Sequence, residues 1–455
     1  MRSDFFQSKC RFAASSLLIA VLGFGTASAR ADSSPPPGNH DRTSATPTHP
    51  PPWAPGAPLT MEQALRRALV CDGRVASLKA AMEVARQERL AATDIKDPEV
   101  EGQIRSRGQA FDGGTGDLED GRVRLDFFVP NPWLVLPRVD ARTADYKAVQ
   151  ADLSAAIWLV RSEVQRLFAQ LGYLTNDLAF SADEVRFNGE VLNAMQARLK
   201  QGAATASDLM TASRQYLQFQ NELDQTYHRY QQARRQLAAL LDIPPESFEL
   251  ATNEAPPSLM EPALDFQQVE AMADRSRYDL TALRWRAQAA QSTYHEIYNQ
   301  RWPWITKVEG GNQYKSDQYF VGLAMDVPIF SWTKNHAAAA ALAKVGLAGV
   351  DETNGFKLVR QELHDALDEV DQTRRQQVRN DANVEPLIAT MRQALATLKA
   401  SPNVMPEQVA AAELQLVETL RFDLDTRWQY QLALMDLERV LGAPLSQKNS
   451  GATSP

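Results

Sequence analysis

Metal binding, nucleophilic attack and acid–base catalysis each need particular side chains at defined spacings, and the chain offers few such arrangements. His40, His49, His228, His295, His336 and His364 are scattered, with no pair at the spacing a tetrahedral zinc site uses. Cys10 and Cys71 are the only cysteines. No glycine-rich phosphate loop, nucleophile elbow or His-Glu metal motif occurs. Acidic residues are plentiful, 56 Asp and Glu against 48 Lys and Arg for a net charge of −8, and they read as solvated helix faces. That balance argues against a broad nucleic-acid surface, which needs clustered cations. The expectation is no catalytic, cofactor-binding or metal site, hence no enzyme, and a function that resides in architecture.

The first residues carry an address. Arg2, Lys9 and Arg11 precede the apolar run "AASSLLIAVLGFG", and "ARA" at 29–31 offers small residues before Asp32, the layout of a secretory signal at 1–31. The run is shorter than the roughly 20 apolar residues of a membrane span. Cys10 lies before it, so amino-terminal lipidation is not indicated, and cleavage leaves Cys71 without an intrachain disulfide partner. Residues 32–57 are rich in Pro, Ser and Thr and read as a linker, and 446–455 as a disordered tail.

Between them, heptad periodicity dominates. Leu153, Ile157, Val160, Val164, Leu167, Leu171 and Leu174 alternate spacings of four and three. So do Leu209, Ala212, Tyr216, Phe219, Leu223, Thr226, Tyr230, Ala233, Leu237 and Leu240, and Phe356, Val359, Leu363, Ala366 and Val370 repeat the style. Such spacing predicts long helices wound on neighbours. An offset of 200 matches Ala212 to Ala412, Thr226 to Thr426, Tyr230 to Tyr430, Ala233 to Ala433 and Leu237 to Leu437. "LTMEQALRRAL" at 59 aligns with "LDFQQVEAMAD" at 264. The chain reads as a duplicated unit, 58–252 and 253–445. Each copy also carries two strand-like runs, near 97–107 and 121–130 and near 303–314 and 318–328, the first pair flanking a loop at 111–121. Each copy is expected to run short helix, long helix, hairpin, long helix, turn, long helix.

"LTMEQALRRAL", the Val-Pro step closing the second strand of each half, "RLKQGAATASDLM" and the duplicated plan together resemble the outer-membrane efflux proteins, the TolC-like family. "DPEVEGQIR" at 97–105 also looks like a stretch common in the branch serving heavy-metal pumps. The resemblance implies a mainly α fold with four strands per chain. Three chains would close a 12-stranded outer-membrane β-barrel, continued into the periplasm by a tunnel of paired helices, and strands of about ten residues suit such a crossing. It implies a passive exit duct for a tripartite efflux or type I secretion system, partnered by a periplasmic adaptor and an inner-membrane pump that supplies the driving force.

By the same resemblance, the turns at Gly202 and Pro402 are the periplasmic tips. Arg198, Leu199, Gly202 and Ala203, with Ser401, Pro402, Asn403 and Val404, would dock the adaptor, and Asp208, Gln408 and Ala411 would stand at the pore entrance. The second tip lacks the usual glycine, and Gln408 and Ala411 occupy positions where some members place acids. Glu407 and Glu413 lie close by on different helical faces. On the first strand the charged face of Glu99, Glu101, Gln103 and Arg105 is expected to look into the lumen. Trp302, Trp304, Phe128 and Trp133 would form an aromatic girdle at the membrane boundary or pack where barrel meets helices. A periplasmic coiled-coil adaptor or scaffold that never enters a membrane stays open as the alternative, as does a helical enzyme or binding module.

Overall fold

A computed structural model describes residues 57–106, 118–251, 266–313, 318–327, 332–401 and 404–445. The expected signal segment, the linker up to residue 56, the tail, Pro402 and Asn403 lie outside the described residues. The elements in order are β1 (Ala57–Leu59), α1 (Met61–Cys71), α2 (Gly73–Ala91), β2 (Glu99–Ser106), β3 (Leu118–Phe128), α3 (Pro132–Lys200), α4 (Ala206–Leu241), β4 (Phe248–Leu250), α5 (Phe266–Ser276), α6 (Tyr278–Asn299), β5 (Trp304–Gln313), β6 (Gln318–Asp326), α7 (Trp332–Ala400) and α8 (Pro406–Leu441).

The succession repeats, and the repeat is metric as well as topological. α3 and α7 each have 69 residues, α4 and α8 each have 36. At 1.5 Å per residue the longer pair extends about 100 Å. Helix starts are set by caps. Thr60 and Gln63 close a capping box on α1, Asp72 accepts from the amides of Arg74 and Val75 at the start of α2, and Asn131 caps α3 just before Pro132.

Heptad residues make the seams. Val160, Val164, Leu167, Leu171 and Leu174 of α3 pack with Ala233, Leu237 and Leu241 of α4, joined by Leu59 and Phe248 from β1 and β4. In the second copy Val359, Leu363 and Val370 of α7 pack with Ala433, Leu434, Leu437 and Leu441 of α8. Thr226 and Thr426, the polar members of the pattern, are both buried, and the Thr426 hydroxyl donates to the Phe422 carbonyl at 2.9 Å. α3 lies against α2, α4, α6 and α8, while α7 lies against α6 and α8. The helices therefore form one layer, ordered α2, α3, α6, α7 along the stretch nearer the strands and α4, α3, α8, α7 along the stretch nearer the turns. α7 borders one side and α2 with α4 the other.

β2, β3, β5 and β6 form an antiparallel sheet in that order, so β3 of the first copy pairs with β5 of the second. β3 begins at Leu118, inside the loop expected at 111–121, because Leu118 reaches Ser106 across a register shift. β1 and β4 pair in parallel. At three residues each they are too short to show an alternating pattern, and the sequence reading lacked them.

Candidate functional site

Three places along the long helices and the sheet hold the residues of interest. At the first turn, the amide of Gly202 donates to the Leu199 carbonyl at 3.0 Å and that of Ala203 to the Arg198 carbonyl at 2.8 Å. Gly202 has φ +73°, and a Cβ there would meet nothing within 4 Å, so backbone conformation and not crowding calls for glycine. Asp208 is an N-terminal capping residue of α4. Its carboxylate accepts from the Thr205 amide at 2.9 Å and the Thr205 hydroxyl at 2.7 Å, and these bonds hold its carboxyl below the usual range.

The first turn is tied to the second copy. Arg198 pairs with Glu407 at 2.6 Å and donates to the Ala203 carbonyl at 3.3 Å. Lys399 pairs with Glu413 at 2.5 Å across the second turn. Of Arg198, Leu199, Gly202 and Ala203, Arg198 thus reaches the first turn of α8, and the other three are joined to it within the turn at Gly202. Ser401, Gln408 and Ala411 are exposed and Val404 half-buried. The Arg198–Glu407 and Lys399–Glu413 pairs were not foreseen; only the proximity of Glu407 and Glu413 to the tip was visible.

Midway along the helices, Arg421 of α8 enters a nest of acids. Its Nε lies 2.7 Å from Asp177, and its Nη1 lies 2.9 Å from Glu184 and 3.6 Å from Glu222 of α4. Tyr173 stacks on Trp428 at 5.0 Å and its hydroxyl donates to Asp425 at 3.2 Å. Glu184 is 2% exposed. Burial pushes its carboxyl up to about 7; Arg421 opposes this, while Glu418, Glu222 and Asp177 add to it. Nothing in the heptad pattern marked this cluster, although acids at seam-adjacent positions were a readable sign.

The sheet has two unlike faces, because side chains alternate along each strand. The register aligns Val100, Leu125, Gly310 and Val321 on one face, with Phe127, Val308 and Leu323 in the next row. That face is open, Val321 being 82% exposed. The opposite face carries Glu101, Arg124, Asp126, Lys307 and Glu309. Lys307 Nζ lies 2.8 Å from Asp126 and 3.5 Å from Glu309, and Arg124 touches Glu101, Asp126 and Glu309. Asp126 is 3% exposed. The charged face expected for the first strand thus extends over three strands as one ion-pair network. Phe320 also lies on it, its ring over Gly311 and 5.5 Å from the Arg122 guanidinium.

The four aromatic candidates divide. Trp302 and Trp133 are 60% and 53% exposed. The Trp304 indole donates to the Val129 carbonyl at 3.3 Å, and Lys96 sits 3.8 Å from the centre of the Phe128 ring. Among the described residues no helix is long and apolar enough to cross a membrane, and no group of His, Cys, Asp or Glu is placed to hold a metal ion.

Residues 135–242 match the family model of the outer membrane efflux proteins. No curated protein sequence matches the chain. Among solved structures, the chain is similar to the outer-membrane channel OprN, at 17% identity and TM-score 0.66 over 88% of this chain and 96% of that one. It is similar to a membrane protein from Pseudomonas aeruginosa at 18% identity and TM-score 0.67, over 89% and 99%. It is also similar to CusC, described for transmembrane channel formation, at 18% identity and TM-score 0.66, over 86% and 94%. The duplicated plan read from the sequence is therefore the fold of outer-membrane channels, across nearly the full length of each.

Proposed function

We propose that this chain, having the fold of outer-membrane channels, is the outer-membrane exit duct of an efflux or type I secretion assembly, with most of its mass in the periplasm. The observation that carries the reading is the two-faced sheet with an open strand on either side. An apolar face and a charged face on four strands suit a wall between lipid and water, and open edges in lipid leave backbone groups unsatisfied. Four strands are too few to close a cylinder around themselves. β2 and β6 are on opposite edges, as are α2 with α4 and α7, so copies join head to tail and a rotation closes the ring. Three copies supply twelve strands of 8 to 11 residues, close to the 9–11 a tilted crossing needs.

On this reading residues 1–31 are removed on export, and 58–252 and 253–445 are the two copies of the duplicated unit. The turns at the far end of the long helices receive an adaptor, through Arg198, Leu199, Gly202 and Ala203 and through Ser401 to Val404. Asp208, Gln408 and Ala411 stand near the entrance. The driving force comes from a pump in the inner membrane, and the duct conducts passively. The exposed apolar sheet face weighs against a periplasmic scaffold, which would have no lipid to cover it.

The test is fractionation and mass. The mature protein is expected in the outer-membrane fraction and, in detergent, at three times its monomer mass by light scattering. Recovery as a soluble monomer after osmotic shock would overturn the reading.

A further inference from the structure

Where α6 gives way to β5 and β3 to α3, the sheet meets the helices. Asn299 at the end of α6 donates to the Trp133 carbonyl at 2.8 Å, which brings the start of α3 beside residues 300–303. Backbone bonds from Arg301 to Tyr298 and from Trp302 to Asn299 fix the turn. Around it the surface is apolar and open, with Trp133, Leu136, Tyr298 and Trp302 all exposed.

Among the described residues, three cations of this junction are answered by acids. Lys96 pairs with Glu99 at 2.6 Å, Arg138 with Glu296 at 2.8 Å, and Lys307 with Asp126 at 2.8 Å. Arg301 sits over the Tyr298 ring, its guanidinium carbon 4.8 Å from the ring centre. Its Nε is shut from solvent without a hydrogen-bond acceptor. Among the described residues no carboxylate pairs with it. A guanidinium set over a ring with no carboxylate beside it leaves its terminal nitrogens to take an anion. Its planar fork suits phosphate, and exposed tryptophans and tyrosines favour the headgroup level of a bilayer.

We infer that Arg301, flanked by Tyr298 and Trp302, binds the phosphodiester of an anionic phospholipid headgroup in the leaflet facing the periplasm. The inference rests on the proposed passage of the sheet through the outer membrane. The acyl chains would lie along the apolar sheet face from Phe127 and Val308 onward. Such a contact fixes the depth of the duct at the boundary where strands become helices.

Native mass spectrometry of the detergent-purified, delipidated oligomer, titrated with phosphatidylglycerol or phosphatidylcholine, tests this. Phosphatidylglycerol is expected to be retained preferentially. Arg301→Gln is expected to weaken that retention roughly tenfold, the scale of one charged hydrogen bond. Arg138→Gln removes the same charge a few residues from Trp133 and is expected to leave retention unchanged. Equal retention by wild type and Arg301→Gln overturns the proposal. So does loss of the bound lipid to millimolar inorganic phosphate, which would mark a free-anion site. Should Arg301→Gln fail to assemble, Arg301→Lys keeps the charge without the fork, and an undiminished lipid preference in it overturns the proposal equally. Flotation of the wild type with liposomes separates the two readings. A protein that floats but shows no lipid preference loses only this site, and one that does not float loses the channel as well.

Discussion

Among the described carboxylates, Glu184 is the one displaced furthest from its ordinary range. Its carboxyl is raised from 4.5 to about 7 by burial, against the pull of Arg421 and with the push of Glu418, Glu222 and Asp177. A raised carboxyl means that the folded state holds the proton more tightly than the unfolded one. The stability it contributes is complete below the unfolded value near 4.5 and is lost as pH rises through about 7. A shift of this size corresponds to roughly 3 kcal/mol. The melting temperature of the detergent-solubilised protein is expected to fall between pH 5 and 8.5, and Glu184→Gln to flatten that slope while raising the melting temperature at the alkaline end. Identical slopes for the two proteins would contradict the assignment. Little of this was legible beforehand, since Asp177, Glu184, Glu222 and Arg421 come from three helices, and a pairing between positions 237 residues apart leaves no local pattern. Gly202 is the opposite case, because the demand for its φ is local and the turn could be read directly.

Among the elements, the sheet is the more exacting. Gly311 of β5 has no room for a side chain, as a Cβ would stand 2.3 Å from the Val123 carbonyl oxygen and 2.7 Å from the Phe320 ring. The contact is with β3 backbone, which cannot rotate away, so Gly311→Ala is expected to part the β3–β5 pairing that unites the two copies. Gly310→Ala next to it, with its nearest atom at 3.9 Å, is expected to be tolerated. The amount of oligomer surviving a mild-detergent gel reads the difference, and equal yields from both would count against the stated crowding. The helices were easier to foresee because periodicity sustained over ten positions decides type and face together. The β3–β5 junction was not, because an edge pairing depends on which strand arrives beside which. The β1–β4 pair escaped for want of length.

For the molecule as a whole, the proposed passage through a membrane sets one face of β6 against lipid and the other toward water. Leu323 stands in the row with Phe127 and Val308, whereas Gln318 pairs with Gln313 on the opposite face. Leu323→Arg is expected to cost about 2 to 4 kcal/mol at mid-depth and to deplete the outer-membrane fraction. Gln318→Arg adds the same charge to the same strand and is expected to insert normally. Immunoblots of separated membranes give the comparison, and an unaffected Leu323→Arg would mean that this face is not against lipid. The alternation of Val123, Leu125 and Phe127, and of Val321, Leu323 and Met325, along the second strand of each copy is legible in the sequence and separates these faces. The proposed closure with neighbouring copies is argued from the open edges at β2 and β6, which only the arrangement of strands reveals.

The equal lengths of α3 and α7, and of α4 and α8, make distance in this protein a counted quantity. One residue added to a single rod turns everything beyond it by about 100° and advances it by 1.5 Å. The seam then faces away from its return partner. Growth or shrinkage keeps contact only in steps of seven, taken on outgoing and returning rods alike and in both copies. The reach of the paired helices is therefore set like a ruler with heptad gradations, and a relative spanning a wider gap is expected to differ by whole gradations.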